Sequence, residues 1–495
     1  SRLSPGEGEA LLRWVEGGGS ALLAGWIGSP EQPTDLMREL LSVDRIDVLG
    51  RDESYFVAAA RRGTLNVGLA PGLRSGLPAA DASPAIATRD AELVWSNWNL
   101  RPVRELAGAS RRLERGSGRL AWIAVDARRA HQAEGRDKLV RLFENALRWA
   151  NWDVGGELHA WPRGAPFAGL IAMDTEDQFA NARAVATAAA EEPFPMTYLV
   201  VADIAKRNPS VMEQLIRSGE IGSHADVHDG FKDEDLATQR QRLGRARDIT
   251  QGLGAGDVLG FRPPYESYDA NTLRALATEG YGYQLGDLEL DRAVPRMVTV
   301  DGATAPLVQV PRPVEDDYDL FERRSIADPA ALREAMLAEV DRSERMGGLH
   351  YFSLHTQYFD RPERIDALRA LARELRTRGA WLSTGSELAA WWRGRDQIHV
   401  GVERAGPQRV RVRVTNRGAS PLDGLAVRIY TNVPTMRVQV SGTQVVQELL
   451  ARWRGRAPEV RMRAGAEHAD LILPTIGAGE SQNFDLDYEV QERGT

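Results

Sequence analysis

A chain of 495 residues exceeds what one ordinary hydrophobic core organises, so roughly two to four domains are expected. Its 43% apolar and 27% charged residues exclude collagenous and low-complexity classes, and a formal charge of −8, with arginines interspersed among acids, excludes the clustered cations of a nucleic-acid surface. The absence of cysteine excludes disulfides, thiolate metal sites and cysteine nucleophiles, and no apolar run approaches the roughly 18 residues of a membrane-spanning helix. No secretory signal opens the chain, and a start at Ser1 leads us to expect a processed or truncated protein.

In chain order, Leu3 to Gly25 reads as a capped amphipathic helix, a glycine turn and a buried strand. Gly116 to Ala127 reads as a strand, and Asp137 to Ala150 as a helix with apolar residues at i, i+3, i+4 and i+7. Together these predict an α/β domain over residues 1–160. Its glycine-rich helix-to-strand phrase and terminal Asn-Ala-Leu-Arg-Trp helix resemble a glutamine-amidotransferase-like, flavodoxin-like domain. Such enzymes use a cysteine nucleophile, so the resemblance implies a catalytically silent scaffold here.

From 165 to 395, strands and helices alternate as in a parallel αβ sheet or barrel. Strands are predicted at 169–173, 197–201, 220–224, 258–262, 281–285 and 350–355, with helices over 235–254 and 329–346. After Trp392 the texture changes to short alternating strands punctuated by Gly, Pro and Asn: QRVRVRVTN, LAVRIYT, MRVQVS and NFDLDYEV. They predict a small β-sandwich over 396–495, resembling the Ig-like accessory domains of carbohydrate-active enzymes.

Four phrases in the middle segment carry chemistry. Asp174-Thr-Glu176-Asp177 follows an apolar strand, and three acids in four residues repel one another unless a cation or an arginine compensates. His224 and His228 stand four apart just past another strand, where one helical turn would put both imidazoles on one side as a metal clamp. Arg262-Pro-Pro-Tyr265 makes a rigid turn after a third strand. Leu354-His355 ends a fourth. Each alone has a bland reading: an acidic helix cap, unremarkable loop histidines, a simple loop, a satisfied core histidine.

In this order the four phrases resemble the NodB-homology domain of carbohydrate esterase family 4, the polysaccharide and chitin deacetylases, over residues 165–395. That resemblance implies a distorted (β/α) barrel and metal-dependent removal of N-acetyl groups from an amino-sugar polymer. It implies His224 and His228 as metal ligands, joined by an acid. Strand alternation favours Glu176, on the face of Asp174, with Asp177 as the alternative. The ion is expected to be zinc, with cobalt or nickel as alternatives. By the same resemblance Asp174 is the general base, Arg262 orients it, the main-chain amide of Tyr265 binds the oxyanion, His355 is the general acid, and Leu354 walls the acetyl methyl.

Three departures stand out. The acids are spread rather than adjacent, Ala225 replaces a hydroxyl residue after the first histidine, and YQLGDLELDR, with Asp287 and Asp291, occupies the place of a tryptophan-containing motif. The domain order resembles the later part of PelA-type proteins of exopolysaccharide export systems. That implies a glycoside hydrolase domain ahead of Ser1, an exported, periplasmic or extracellular location, and other export proteins as partners. The competing readings are a carbohydrate-binding or assembly protein whose deacetylase site has decayed, and cyclic-amide hydrolysis on the same fold.

Overall fold

The apolar run beginning at Ala168 forms strand β1, Ala168–Thr175, with all eight residues buried. Burial on both faces is what a parallel strand covered by helices requires, and it explains a continuous apolar run in place of alternation. The computed structural model describes residues 3–27, 35–286, 290–441 and 457–491. The chain divides into two units, Ala165–Asp396 and Ser1–Gly164 with Gln397–Thr495.

In the middle unit, β1 is followed by β2 (Thr197–Val200), β3 (Glu220–Ser223), β4 (Gly260–Phe261), β5 (Tyr283–Leu285), β6 (Arg296–Val300), β7 (Ala303–Val310), β8 (Leu349–His355) and β9 (Trp381–Leu382). They form one sheet in the order β6-β7-β5-β4-β3-β2-β1-β8, with β9 also on β1. Every pair is parallel except β6 with β7. This is the mostly parallel α/β sheet expected for the middle segment; β6, β7 and β9 lie outside the predicted strands.

Helices cover the sheet. Leu236–Gly252 starts at Asp235, whose side chain accepts from the Thr238 amide. Pro329–Met346 starts at Asp328 with proline in its first turn and stops at Gly347, whose φ of 72° is left-handed. Pro362–Thr377 buries Leu368, Leu371 and Leu375 at helical spacing; each such side chain contributes about 1.5–3 kcal/mol. Among the described residues no helix is long and apolar enough to cross a membrane.

The other unit opens with helix Pro5–Glu16, whose capping box pairs Ser4 with Glu7. Strand Ser20–Ala24 then runs parallel to Gly118–Ile123. The doubly wound parallel sheet of a flavodoxin-like domain does not form among the described residues. There are instead small sheets of three, two and three strands, with this one parallel pair. Residues 61–91 are turn-rich and hold no α-helix, and parallel crossovers need one.

The strands after Gln397 join into a single seven-stranded sheet that takes in Gly155–Leu158. Ala426–Val440 connects its parts. The first half of this strand pairs with Gly155–Leu158 and Ala466–Ile472, and the second half with Ser481–Val490. Its register shifts between Tyr430 and Thr435, where Asn432 has a φ of 55°, the kind of irregularity that bends a strand. On the neighbouring strand Asp470 stands opposite Arg428, receives it at 2.8 and 2.9 Å and lies 2.8 Å from His159.

Candidate metal and hydrolytic site

Sheet register assembles the site. Asp174 on β1 is aligned with His355 on β8, which puts both side chains on one face at one level. The His224 amide donates to the Val200 carbonyl at 2.8 Å and the Arg262 amide to the Ser223 carbonyl at 3.0 Å. The four chemistry-bearing phrases therefore meet at the carboxyl edge of one parallel sheet, where ligand sites of such sheets form.

The two histidines do not share a helical turn. Residues 224–228 are a loop, entered through Ala225 at a φ of 75°. Arg242 braces it, pairing with Asp226 at 3.0 Å and donating to the carbonyls of Asp229 and Gly230 at 2.9 Å. A charged clamp thus serves where a hydroxyl at 225 is absent. His224 Nδ1 lies 2.8 Å from the Arg262 carbonyl, which can only accept, so the proton sits on Nδ1 and Nε2 is turned to the site.

Glu176 Oε1 lies 3.2 Å from His224 Nε2 and 2.9 Å from His228 Nε2. Burial pushes the Glu176 carboxyl up, but the two imidazoles outweigh it and hold it well below the usual range. Burial likewise opposes protonation of His228, and Glu176 reverses that and raises it. The Glu176 amide donates to Thr356 Oγ1 at 3.1 Å, and Gln357 donates to Glu176 Oε2 at 3.2 Å. Glu176, His224 and His228 thus form a compact group of two nitrogens and one carboxylate that could hold a metal ion. Asp177 is exposed and outside this group; its carbonyl accepts from Thr356 at 2.6 Å.

Asp174 is buried beside them. Its Oδ2 accepts from Arg262 Nε at 2.5 Å and lies 3.6 Å from His355 Nε2. Its Oδ1 is buried without a hydrogen-bond partner among the described residues. Arg262 also donates to the Tyr351 hydroxyl at 3.1 Å.

Sequence reasoning missed the partner of His355. Asp317, fully buried, accepts from His355 Nδ1 and from its main-chain amide, both at 2.6 Å. Burial would deprotonate His355, but Asp317, then Asp174 and Glu176, outweigh it and push the imidazole up to about 10. The signal was the acidic run at 315–319, which reads as a solvated turn.

Tyr265 has a φ of 58° and an exposed ring, 4.5 Å from the His228 ring between centroids. Its main-chain N–H meets no acceptor among the described residues. Leu354 occupies the opposite face of β8 from His355, wholly buried in the core, and offers no surface for an acetyl methyl. Asp291 pairs with Arg292 at 2.8 Å, and Asp287 lies outside the described residues.

Residues 174–284 match the family model for polysaccharide deacetylase. A structure from Mycobacterium smegmatis assigned as a polysaccharide deacetylase is 23% identical, covering 48% of this chain and 94% of its own at a TM-score of 0.44. A Pseudomonas aeruginosa structure with the same assignment is 19% identical, covering 47% and 93% at 0.42. A family 4 carbohydrate esterase from Streptomyces lividans, solved with acetate, is 16% identical, covering 44% and 91% at 0.32. A search of curated protein sequences gave no match.

Proposed function

For this chain, which carries a polysaccharide deacetylase domain, we propose hydrolysis of N-acetyl groups on an amino-sugar exopolysaccharide, releasing acetate. His224, His228 and Glu176 would hold a divalent cation, zinc by donor chemistry with cobalt or nickel as the alternatives. Such an ion, when bound, supplies polarisation of the acetamide carbonyl and a lowered pKa for water.

The chain's own residues do the rest. Asp174 Oδ1 takes a proton from the attacking water, while Arg262 fixes the other carboxylate oxygen. The free N–H of Tyr265 donates to the carbonyl oxygen as negative charge develops there. As the C–N bond breaks, His355 delivers its Nε2 proton to the departing amine, and Asp317 holds the ring that loses it. Water, base, oxyanion donor and acid are then all accounted for, and the products are acetate and a free amine.

One observation carries the reading: a buried carboxylate with one oxygen fixed by Arg262 and the other unpartnered among the described residues, beside an imidazole that a second, buried carboxylate holds. A decayed site has no use for so costly an arrangement. The exopolysaccharide assignment, a location outside the cytoplasm and export-system partners are supported by the PelA-type order of domains read from the sequence. Acetate release across a panel of N-acetylated polysaccharides, with and without EDTA, tests the function. Activity lost to chelation and restored by zinc is expected; none on any polymer, with no stoichiometric metal, leaves the binding-protein reading standing.

A further inference from the structure

The Arg262-Pro-Pro-Tyr265 turn ends in two successive left-handed residues, Tyr265 at φ 58° and Glu266 at φ 52°. Glycine takes this conformation freely and a side chain resists it. A glutamate at 266 is thus a locally unfavourable choice, and its contacts supply the reason. Its Oε1 lies 3.4 Å from Arg262 Nη2 and 3.5 Å from Arg312 Nε, bridging two guanidinium groups. Both side chains pack beneath Gly286, where a Cβ would come within 3.4 Å of Arg262 Nη1 and 3.6 Å of Glu266 Oε1.

Arg312 carries the bridge onward. Its Nη1 lies 3.2 Å from Asp316 Oδ2 and 3.1 Å from Asp319 Oδ2, and donates to the Val314 carbonyl at 3.2 Å. Asp316 and Asp319 cap each other's amides, at 2.8 and 3.3 Å, across the turn that presents Asp317 to His355. A line of charge pairs therefore runs from Asp174 through Arg262, Glu266 and Arg312 to the Asp317 turn. It joins the base at one end to the partner of the acid at the other, and passes through the turn that aims the Tyr265 amide.

We propose that Glu266 and Arg312 are positioning residues that fix base, oxyanion donor and acid in one geometry. This role rests on the deacetylase reading above, and neither residue touches the reacting atoms. The test measures kcat, KM, melting temperature and metal content for E266Q, E266G, R312K, R312M and the double variant E266Q/R312M.

E266Q and E266G should each lose about tenfold or more in kcat, with KM within about twofold and metal content unchanged. E266G and E266Q should both melt below wild type and close to each other, because both leave Arg262 and Arg312 without the shared carboxylate while glycine relieves the left-handed residue. R312M should match E266Q, R312K should recover part of the loss, and the double variant should be no slower than the worse single one, since the two act as a unit. Should R312M fail to fold, the Glu266 variants decide alone. Wild-type kcat in E266Q or E266G, or a kcat loss that tracks loss of metal, overturns the positioning role. Wild-type turnover in E266Q with an active parent sinks this role alone, whereas a parent inactive on every polymer sinks the deacetylase reading and this role with it.

Discussion

Each unit of the chain contains a histidine against an aspartate with one partner of the pair buried, Asp317 in one and His159 in the other, and the two pairs behave in opposite ways. His355 meets Asp317 at 2.6 Å and is pushed up to about 10. His159 meets Asp470 at 2.8 Å and is pushed down to about 4. Burial opposes charge in both. The third partner decides: His355 has further carboxylates, Asp174 and Glu176, whereas His159 has Arg62 at 3.0 Å on Nδ1 and Arg428 sharing its aspartate. A guanidinium can only donate, so His159 Nδ1 must accept, and the ring stays neutral with its proton toward Asp470. A histidine–aspartate pair is therefore no sign of catalysis; the sign is a protonated ring facing an acceptor that nothing else fills.

Breaking the first pair should cost activity, and breaking the second should cost only stability. Asp174→Asn removes the acceptor, and kcat should fall by a factor on the order of a hundred or more with metal retained, read from acetate release and metal content together. Asp317→Asn leaves His355 without its main counter-charge. Its titration midpoint by NMR should drop from about 10, and kcat should fall on the order of tenfold to a hundredfold; an unmoved midpoint would show that Asp317 does not set the proton.

Asp470→Asn should leave kcat unchanged and destabilise the chain by about 3 kcal/mol, because Arg428 and Arg62 lose their buried counter-charge. Denaturant unfolding measures it. For His159 the folded value lies below the unfolded one, so the unfolded chain binds more protons between about 6.5 and about 4, and stability falls as pH drops through that window. His159→Gln should flatten this slope; an unaltered slope assigns the acid sensitivity elsewhere. The smallest effect is expected of Asp177→Ala, which should leave metal binding intact while Glu176→Ala weakens it. The reverse outcome, read by calorimetry, would return the acidic ligand to Asp177.

Legibility in the sequence followed the same divide. The ends of buried parallel strands announce themselves as apolar runs that stop at polar residues, so Asp174, His224, Arg262 and His355 could be placed on one edge before any coordinates. Alternation also favoured Glu176 over Asp177, and Glu176 is the acid beside the histidines. Asp317 and Arg312 were not legible, because their burial depends on a turn whose charges cancel only in three dimensions. Leu354 failed for the opposite reason: motif adjacency to His355 says nothing about which face of a strand a residue takes. Strands β6 and β7 escaped because Gly302 and Pro306 break the alternation that would have marked them.

The pairing of Gly155–Leu158 with Val427–Tyr430 has a consequence for synthesis. The partner of this strand is translated about 270 residues later, on the order of 10 to 50 s at 5–20 residues per second. The whole 165–396 segment, in which β1 itself pairs with the distant β8, emerges in the interval. Until residue 430 leaves the ribosome, the 155–158 segment carries unpaired main-chain groups, a template for wrong pairing. A nascent chain stalled before that point is where chaperone dependence should concentrate.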